Sequence, residues 1–275
     1  MIPFEIKEAV RVIRQYGVFG VLSKLSRYVR LTLELYRNRR LTNGRGLEAL
    51  VEFGFTAYGG LIKPFQDKNE ILRLLRLLDT IKPRTIMEIG TACGGNLFLL
   101  CRVAAPDALV ISVDLPGGIY GGGYPAWRIP IYRQFPVPPQ RLRLIRANSH
   151  SLRTTEKVRK ILDGRRIDFL FIDGDHTYEG ARADFELYSP LVRDGGLIAF
   201  HDIHELQQQP GCAVHKLWKE VKQEFQHQEI INDPHQNWAG IGVITWRGAC
   251  CGDEHGMPST PCDWKQSSAI KVTGI

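Results

Sequence analysis

The chain has 275 residues, 44% of them hydrophobic and 24% charged, with a formal net charge of +7. This is ordinary for a globular protein with a sizeable core, as one large α/β unit or two small ones. No stretch approaches the roughly 18 uncharged apolar residues of a membrane-spanning helix, and "MIPFEIKEAVRVIRQ" is too charged for a secretory signal, so a cytoplasmic location is expected.

The charge sits at the front. Residues 1–40 carry nine Lys/Arg against three Glu, which leaves the remainder nearly neutral. A basic leader on a neutral body disfavours nucleic acid as the partner of the body. Val18, Val21, Leu22, Leu25, Tyr28 and Val29 recur at helical spacing, with a break expected near Gly17 and Gly20. Such a helix packs on the domain or on a second copy in a homo-oligomer, or lies on an anionic membrane surface.

From residue 66 the pattern becomes regular. "QDKNEILRLLRLLDTIKP" predicts a helix with Leu72, Leu75 and Leu78 inward, stopped before Pro83. Then follow "RTIMEIG" (strand), a glycine turn, "NLFLLCRVA" (helix), "ALVISVD" (strand) and a long loop from Leu115 to about Pro139. After it come "RLRLIRAN" (strand), "TEKVRKILDG" (helix), "IDFLFID" (strand), "YEGARADFELYSPLV" (helix) and "GGLIAFHD" (strand). "AVHKLWKEVKQEF" (helix) and "GIGVITW" (strand) close the pattern. Continuous apolar strands alternating with helices predict a Rossmann-like, doubly wound, mostly parallel sheet covered on both faces. The expected organisation is a helical extension over 1–65, the α/β domain over 66–246 and an irregular tail over 247–275. Cys93, Cys101, Cys212, Cys250, Cys251 and Cys262 form no framework and read as reduced thiols. Adjacent Cys250 and Cys251, with Cys262 and His255, lack the usual zinc-ligand spacing.

"MEIGTACGGN" sets Gly90, Gly94 and Gly95 between a strand and a helix, where backbone can approach a ligand and helix N–H groups are exposed. The spacing is neither the dinucleotide pattern nor a Walker motif. Asp114 ends the next strand, where doubly wound folds place a carboxylate for ribose hydroxyls. Glu88 adds a second acid, which suits a cationic cofactor without phosphates. With "EIGTACGG", "VDLPGG" and "RANSHS", the chain resembles the class I S-adenosylmethionine-dependent methyltransferases over roughly 66–246. The resemblance implies that Glu88, Gly90 and Gly94 contact the cofactor's amino acid portion, that Asp114 binds ribose, and that Asn148 and Ser149 lie beside adenine.

"FLFIDGDHTYEG" and "GGLIAFHDIH" both end apolar strands in ionisable side chains. If the two strands are neighbours, Asp173, Asp175, His176, His201 and Asp202 converge, and clustered carboxylates need a cation, a shared proton or a basic partner. Magnesium is the economical cation, with His176 placed to remove a hydroxyl proton. Asp175 and Glu179 also suit the opening turn of the next helix. The stretch "DFLFIDGDHTYEGARADFELYSPLVRDGGLIAFHDI" resembles the bacterial small-molecule O-methyltransferases similar to macrocin O-methyltransferase, a group that includes proteins labelled cephalosporin hydroxylase. That resemblance implies metal ligands at Asp173, His201 and Asp202, a base at His176, and a small-molecule hydroxyl acceptor such as a sugar or glycosylated natural product. His201 stands where metal-dependent members carry an acid, and imidazole suits manganese, iron or zinc better than magnesium. Metal-free catalysis by His176 or His201 is the rival expectation. The loop with Tyr120, Gly121, Gly122, Gly123, Tyr124 and Trp127 reads as a lid over the acceptor.

Overall fold

The computed structural model describes residues 4–37, 46–118, 123–206, 211–233 and 235–248. The tail with Cys250, Cys251, His255 and Cys262, and lid residues Tyr120, Gly121 and Gly122, lie outside them.

Seven strands form one sheet: β1 (Thr85–Ile89), β2 (Leu109–Asp114), β3 (Arg141–Arg146), β4 (Ile167–Ile172), β5 (Val192–His201), β6 (His227–Ile230) and β7 (Ile241–Thr245). Their order is β3-β2-β1-β4-β5-β7-β6. The first five are parallel, whereas β7 runs antiparallel to β5 and to β6. Strands β1 and β2 are buried along their whole length, as strands covered on both faces must be. The edge strand β3 alternates arginine with apolar residues and exposes Arg141 and Arg143. Chain order reverses between β1 and β4, so the crevice over their carboxyl ends is the switch point where open α/β sheets bind ligands.

One face is covered by α1 (Phe4–Arg37), α2 (Leu47–Gly60), α3 (Lys68–Ile81) and α4 (Gly95–Val103), with the short α5 (Ile129–Tyr132) alongside. The other carries α6 (Leu152–Leu162), α7 (Tyr178–Tyr188) and α8 (Val214–Glu224). There Phe185 meets Phe200, Phe225 and Trp246 at centroid distances of 5.4, 6.3 and 5.8 Å.

The inward stripe of α3 is Ile71, Leu74, Leu75 and Leu78, with Leu72 only half-buried at its side. Periodicity alone leaves such a stripe's centre uncertain by one position. Asp67 caps this helix, accepting the N–H groups of Asn69 (2.8 Å) and Glu70 (3.2 Å). Asp67→Ala is expected to lower stability by about 1 kcal/mol, read as a shifted urea midpoint with unchanged slope.

Helix α1 breaks at Gly17 (φ 62°, ψ 176°), while Gly20 remains helical. It packs on the domain through Tyr28, Leu31 and Leu35. Leu22, Leu25 and Val29 are exposed, so the docking face is turned away from three of the six apolar positions that spacing selects. Among the described residues no helix is long and apolar enough to cross a membrane. Strand β6 has no counterpart in the sequence expectation, because "HQEI" buries only Ile230.

Candidate active site

Gly90 ends β1 at φ +93°, and a Cβ there would lie 1.9 Å from the carbonyl oxygen of Asp173. Its N–H donates to Val113 O (2.9 Å), and the Asp173 N–H donates to Ile89 O (2.9 Å). The tips of β2, β1 and β4 are thereby stitched together, and only glycine allows the approach. Gly94 caps α4 at φ +84°, beneath the ring of Tyr132. Tyr132 donates its hydroxyl to Ala92 O (2.8 Å) and so braces the turn.

A cleft opens over these tips, lined by Gly90, Asp114, Leu115, Gly118, Gly123, Asn148, Ser149, His150, Gly174 and Asp175 among others. Asp114 is nearly buried and accepts the Tyr124 N–H at 3.0 Å. Burial pushes its carboxyl up to about 6, against the pull of backbone N–H groups. Glu88 is fully buried, and neither carboxyl oxygen has a hydrogen-bond partner of good geometry. Burial, then the charges of Asp173 and Asp114, raise its pKa well above the usual carboxylate range. A buried acid flanked by two others costs free energy unless it is protonated or meets a cationic or proton-donating group. Asn148 accepts the His150 N–H at 2.9 Å and is held by the local backbone, whereas the Ser149 carbonyl accepts the Tyr188 hydroxyl of α7 at 2.8 Å. His150 Nε2 lies 3.4 Å from Asp184 Oδ1, a fully buried acid. Asp184 raises the pKa of His150 against partial burial.

Strands β4 and β5 are neighbours, so their ionisable tips do converge. His176 Nδ1 is 2.6 Å from Asp202 Oδ2, and its Nε2 is 3.9 Å from Asp173 Oδ1. His201 Nδ1 lies 3.1 Å from Asp173 Oδ1 and 3.3 Å from Asp202 Oδ1. Neither contact of His201 has hydrogen-bond geometry, and both its ring nitrogens are buried without a bonded partner. Asp173, His201 and Asp202 present ligand atoms within 4.8 Å of one another. Two carboxylates and an unaligned imidazole therefore fit a divalent cation with oxygen and nitrogen donors. Asp202 adopts φ +58°, a left-handed conformation that aspartate tolerates better than most residues.

Electrostatics bind the cluster together. Burial opposes charge on His176, but Asp202, with help from Cys212 and Asp173, raises its pKa to about 10. His201 is likewise driven up by Asp173 and Asp202, which outweigh its burial. Asp202 is held well below the usual range because His201 and His176 overcome its desolvation.

Asp175 accepts the N–H and hydroxyl of Thr177, the N-cap of α7, and lies at the cleft rather than at the cluster. Glu179 sits exposed in the first turn of α7. Gln66 joins the cluster by donating to Asp173 Oδ2 at 2.6 Å, and Cys212 places its Sγ 3.7 Å from Asp202 Oδ2. Neither follows from sequence pattern: Gln66 heads the segment expected to be helical but sits in the bend before α3, and Cys212 is one thiol of six. Of the expected lid aromatics, Tyr124 is spent on the core against Tyr132, and Trp127 packs edge-on against Tyr28 at 4.6 Å.

Residues 87–203, from β1 past the tip of β5, match the family model described as a methyltransferase domain. An uncharacterised protein of Sinorhizobium fredii is 26% identical over 173 residues, covering 62% of this chain and 18% of that protein. An uncharacterised protein of Acanthamoeba polyphaga mimivirus is 32% identical over 142 residues, covering 50% of this chain and 61% of that one. The chain thus spans less than two thirds of either curated relative. Among solved structures, CalS11, a calicheamicin methyltransferase, superposes with a TM-score of 0.51 at 16% identity, over 81% of this chain and 92% of that one. That likeness is one of fold. The glycine turn, the two acids and the switch-point cleft all lie inside the span that matches the methyltransferase-domain model.

Proposed function

We propose that the protein transfers a methyl group from S-adenosylmethionine to a hydroxyl of a small molecule, a sugar or glycosylated natural product, with a divalent cation at Asp173, His201 and Asp202. The observation that carries this reading is the adjacency of two sites. Gly90 of the cleft touches Asp173 of the cluster, so a methyl donor bound over β1 and β2 faces the ionisable tips of β4 and β5.

Glu88 and Gly90 suit the amino acid portion of the donor, Asp114 the ribose, and Asn148 and Ser149 the adenine surroundings. Gly94 serves by shaping the turn beneath Tyr132. The bound donor supplies an electrophilic methyl on sulfonium, and a divalent cation would make the acceptor hydroxyl more acidic. His176 accepts the hydroxyl proton at Nε2 while Asp202 holds Nδ1, and Gln66 fixes Asp173. With both carboxylates uncompensated His176 keeps its proton at neutral pH, so it serves as base only once their charge is neutralised. Support for the acceptor class comes from the resemblance to macrocin-type enzymes and from the nearly neutral catalytic body.

Calorimetry with S-adenosylmethionine and its demethylated product tests the reading. Because ribose hydroxyls donate to an ionised carboxylate and Asp114 titrates near 6, protons compete with the ligand below that pH. Affinity is expected to be level above pH 7 and to weaken by up to about tenfold per unit below 6. Asp114→Asn flattens the profile. No binding of either molecule at millimolar concentration sinks the proposal, and a pH-independent affinity removes Asp114 from the ribose site.

A further inference from the structure

Cys212 has no part in the chemistry above, yet it stands at its edge. It is 3% exposed, in the segment that leads into α8. That segment is pinned to the cluster, because the Ala213 N–H donates to the His176 carbonyl oxygen at 2.7 Å. Sγ of Cys212 lies 3.7 Å from Asp202 Oδ2 and 4.0 Å from His176 Nδ1, and those two atoms are 2.6 Å apart. All three lie within 4.8 Å of one another. Asp202 therefore divides its carboxylate: Oδ1 faces His201, while Oδ2 faces an imidazole and a thiol.

The arrangement is not a nucleophilic triad. In such a triad the histidine bridges thiol and acid with different nitrogens. Here both neighbours address the same Nδ1, so the ring cannot relay a proton from one to the other. Three different donor atoms facing one point are instead the pattern of a metal seat.

We propose that His176, Asp202 and Cys212 form a seat for a borderline-soft divalent cation of the zinc class, sharing only Asp202 with the Asp173, His201 and Asp202 set. The seat does not depend on methyl transfer being the protein's activity. Nitrogen, oxygen and sulfur in one trio select against magnesium, which demands oxygen ligands, and favour zinc, which takes thiolate, imidazole and carboxylate together. Zinc bonds at a tetrahedral angle place ligand atoms roughly 3.3 to 3.6 Å apart. The trio meets that spacing if the thiol draws in and the His176–Asp202 pair opens, each by less than an ångström. Binding replaces the thiol proton and the proton shared by His176 and Asp202, and three protein ligands leave a fourth position for water. A cation there occupies His176 Nδ1, takes Asp202 away from it, and so removes the proposed base from service.

The test uses the full chain with Cys250→Ser, Cys251→Ser and Cys262→Ser, so that the tail thiols do not contribute. Zinc affinity is measured by competition with a chromophoric chelator, and cobalt(II) is added as a spectroscopic probe. Expected are a sulfur-to-cobalt charge-transfer band in the near ultraviolet and zinc binding much tighter than magnesium binding. Cys212→Ser should remove the band and weaken zinc about tenfold or more. Cys93→Ser, which alters a half-buried thiol in the glycine turn, and Asp173→Asn, outside the trio, should keep the band. Absence of the band in the parent chain, or its survival in Cys212→Ser, overturns the proposal. A band that vanishes with Asp173→Asn overturns the separation of the two donor sets.

Discussion

Gly90→Ala is expected to cost more than about 4 kcal/mol of folding stability, a large share of the 5–15 kcal/mol typical of a domain. Two effects add. The residue sits at φ +93°, where a side chain is strained in any surroundings. Its Cβ would also stand 1.9 Å from the Asp173 carbonyl oxygen, a backbone atom that moves only if β4 moves. The seam between β1 and β4 would have to open, which breaks the Asp173 N–H to Ile89 O bond and displaces the cluster behind it. Gly164→Ala is the matched control: φ is +79° there, but nothing lies within 4 Å of the added methyl. It should lose only the conformational part, about 1–2 kcal/mol. Urea unfolding of both variants reads the contrast, and equal losses would show that crowding at the switch point is not what requires Gly90.

Asp202→Asn is expected to lower turnover at least about 1,000-fold, within the range removal of a general base's support commands, while cofactor affinity changes less than about threefold. Asparagine tolerates φ +58°, so the backbone is not the cause. The substitution removes the charge that meets both His201 and His176. His176 loses its orienting partner, and the proposed cation would lose a ligand. Release of S-adenosylhomocysteine across a panel of hydroxylated acceptors, set beside calorimetric affinity for the donor, separates the two effects. A loss shared equally by turnover and affinity would assign Asp202 to the fold or the cofactor cleft. Turnover kept within tenfold would take it out of the chemistry.

The two experiments address different links. Gly90 tests how the strand tips are held, and Asp202 tests what they do once held. Asp67→Ala, by contrast, removes only a helix cap, the bonds to the N–H groups of Asn69 and Glu70.

Much of this was legible in the chain itself. The strands that end in Glu88 and Ile89, Asp114, Asp173, and His201 and Asp202 are apolar runs that change to polar within a residue or two. A strand buried on both faces must be apolar throughout, and its carboxyl end must emerge at the ligand crevice. Their identity as strands, the mostly parallel sheet and the candidate acids therefore followed from composition along the chain. The direction of β7 did not, because "GIGVITW" reads alike in either orientation and only pairing with β5 and β6 makes it antiparallel. Strand β6 was invisible for the opposite reason: an edge strand that buries one residue has no burial pattern to read.

Side chains that arrive by long-range packing were beyond reach. Gln66 meets Asp173 across 107 positions of sequence, and Cys212 reaches His176 across 36. Nothing local marks either residue, since what places them is how the loop before α3 and the segment before α8 settle on the sheet. The docking face of α1 belongs with them, because a helix with apolar residues on several sides shows its inner face only once Tyr28, Leu31 and Leu35 have met the core. By itself the sequence determined which strand ends carry ionisable groups, because burial constrains every residue of a central strand. The tertiary structure alone decided which distant residues close around them, because those contacts depend on the placement of whole elements and leave no periodic trace.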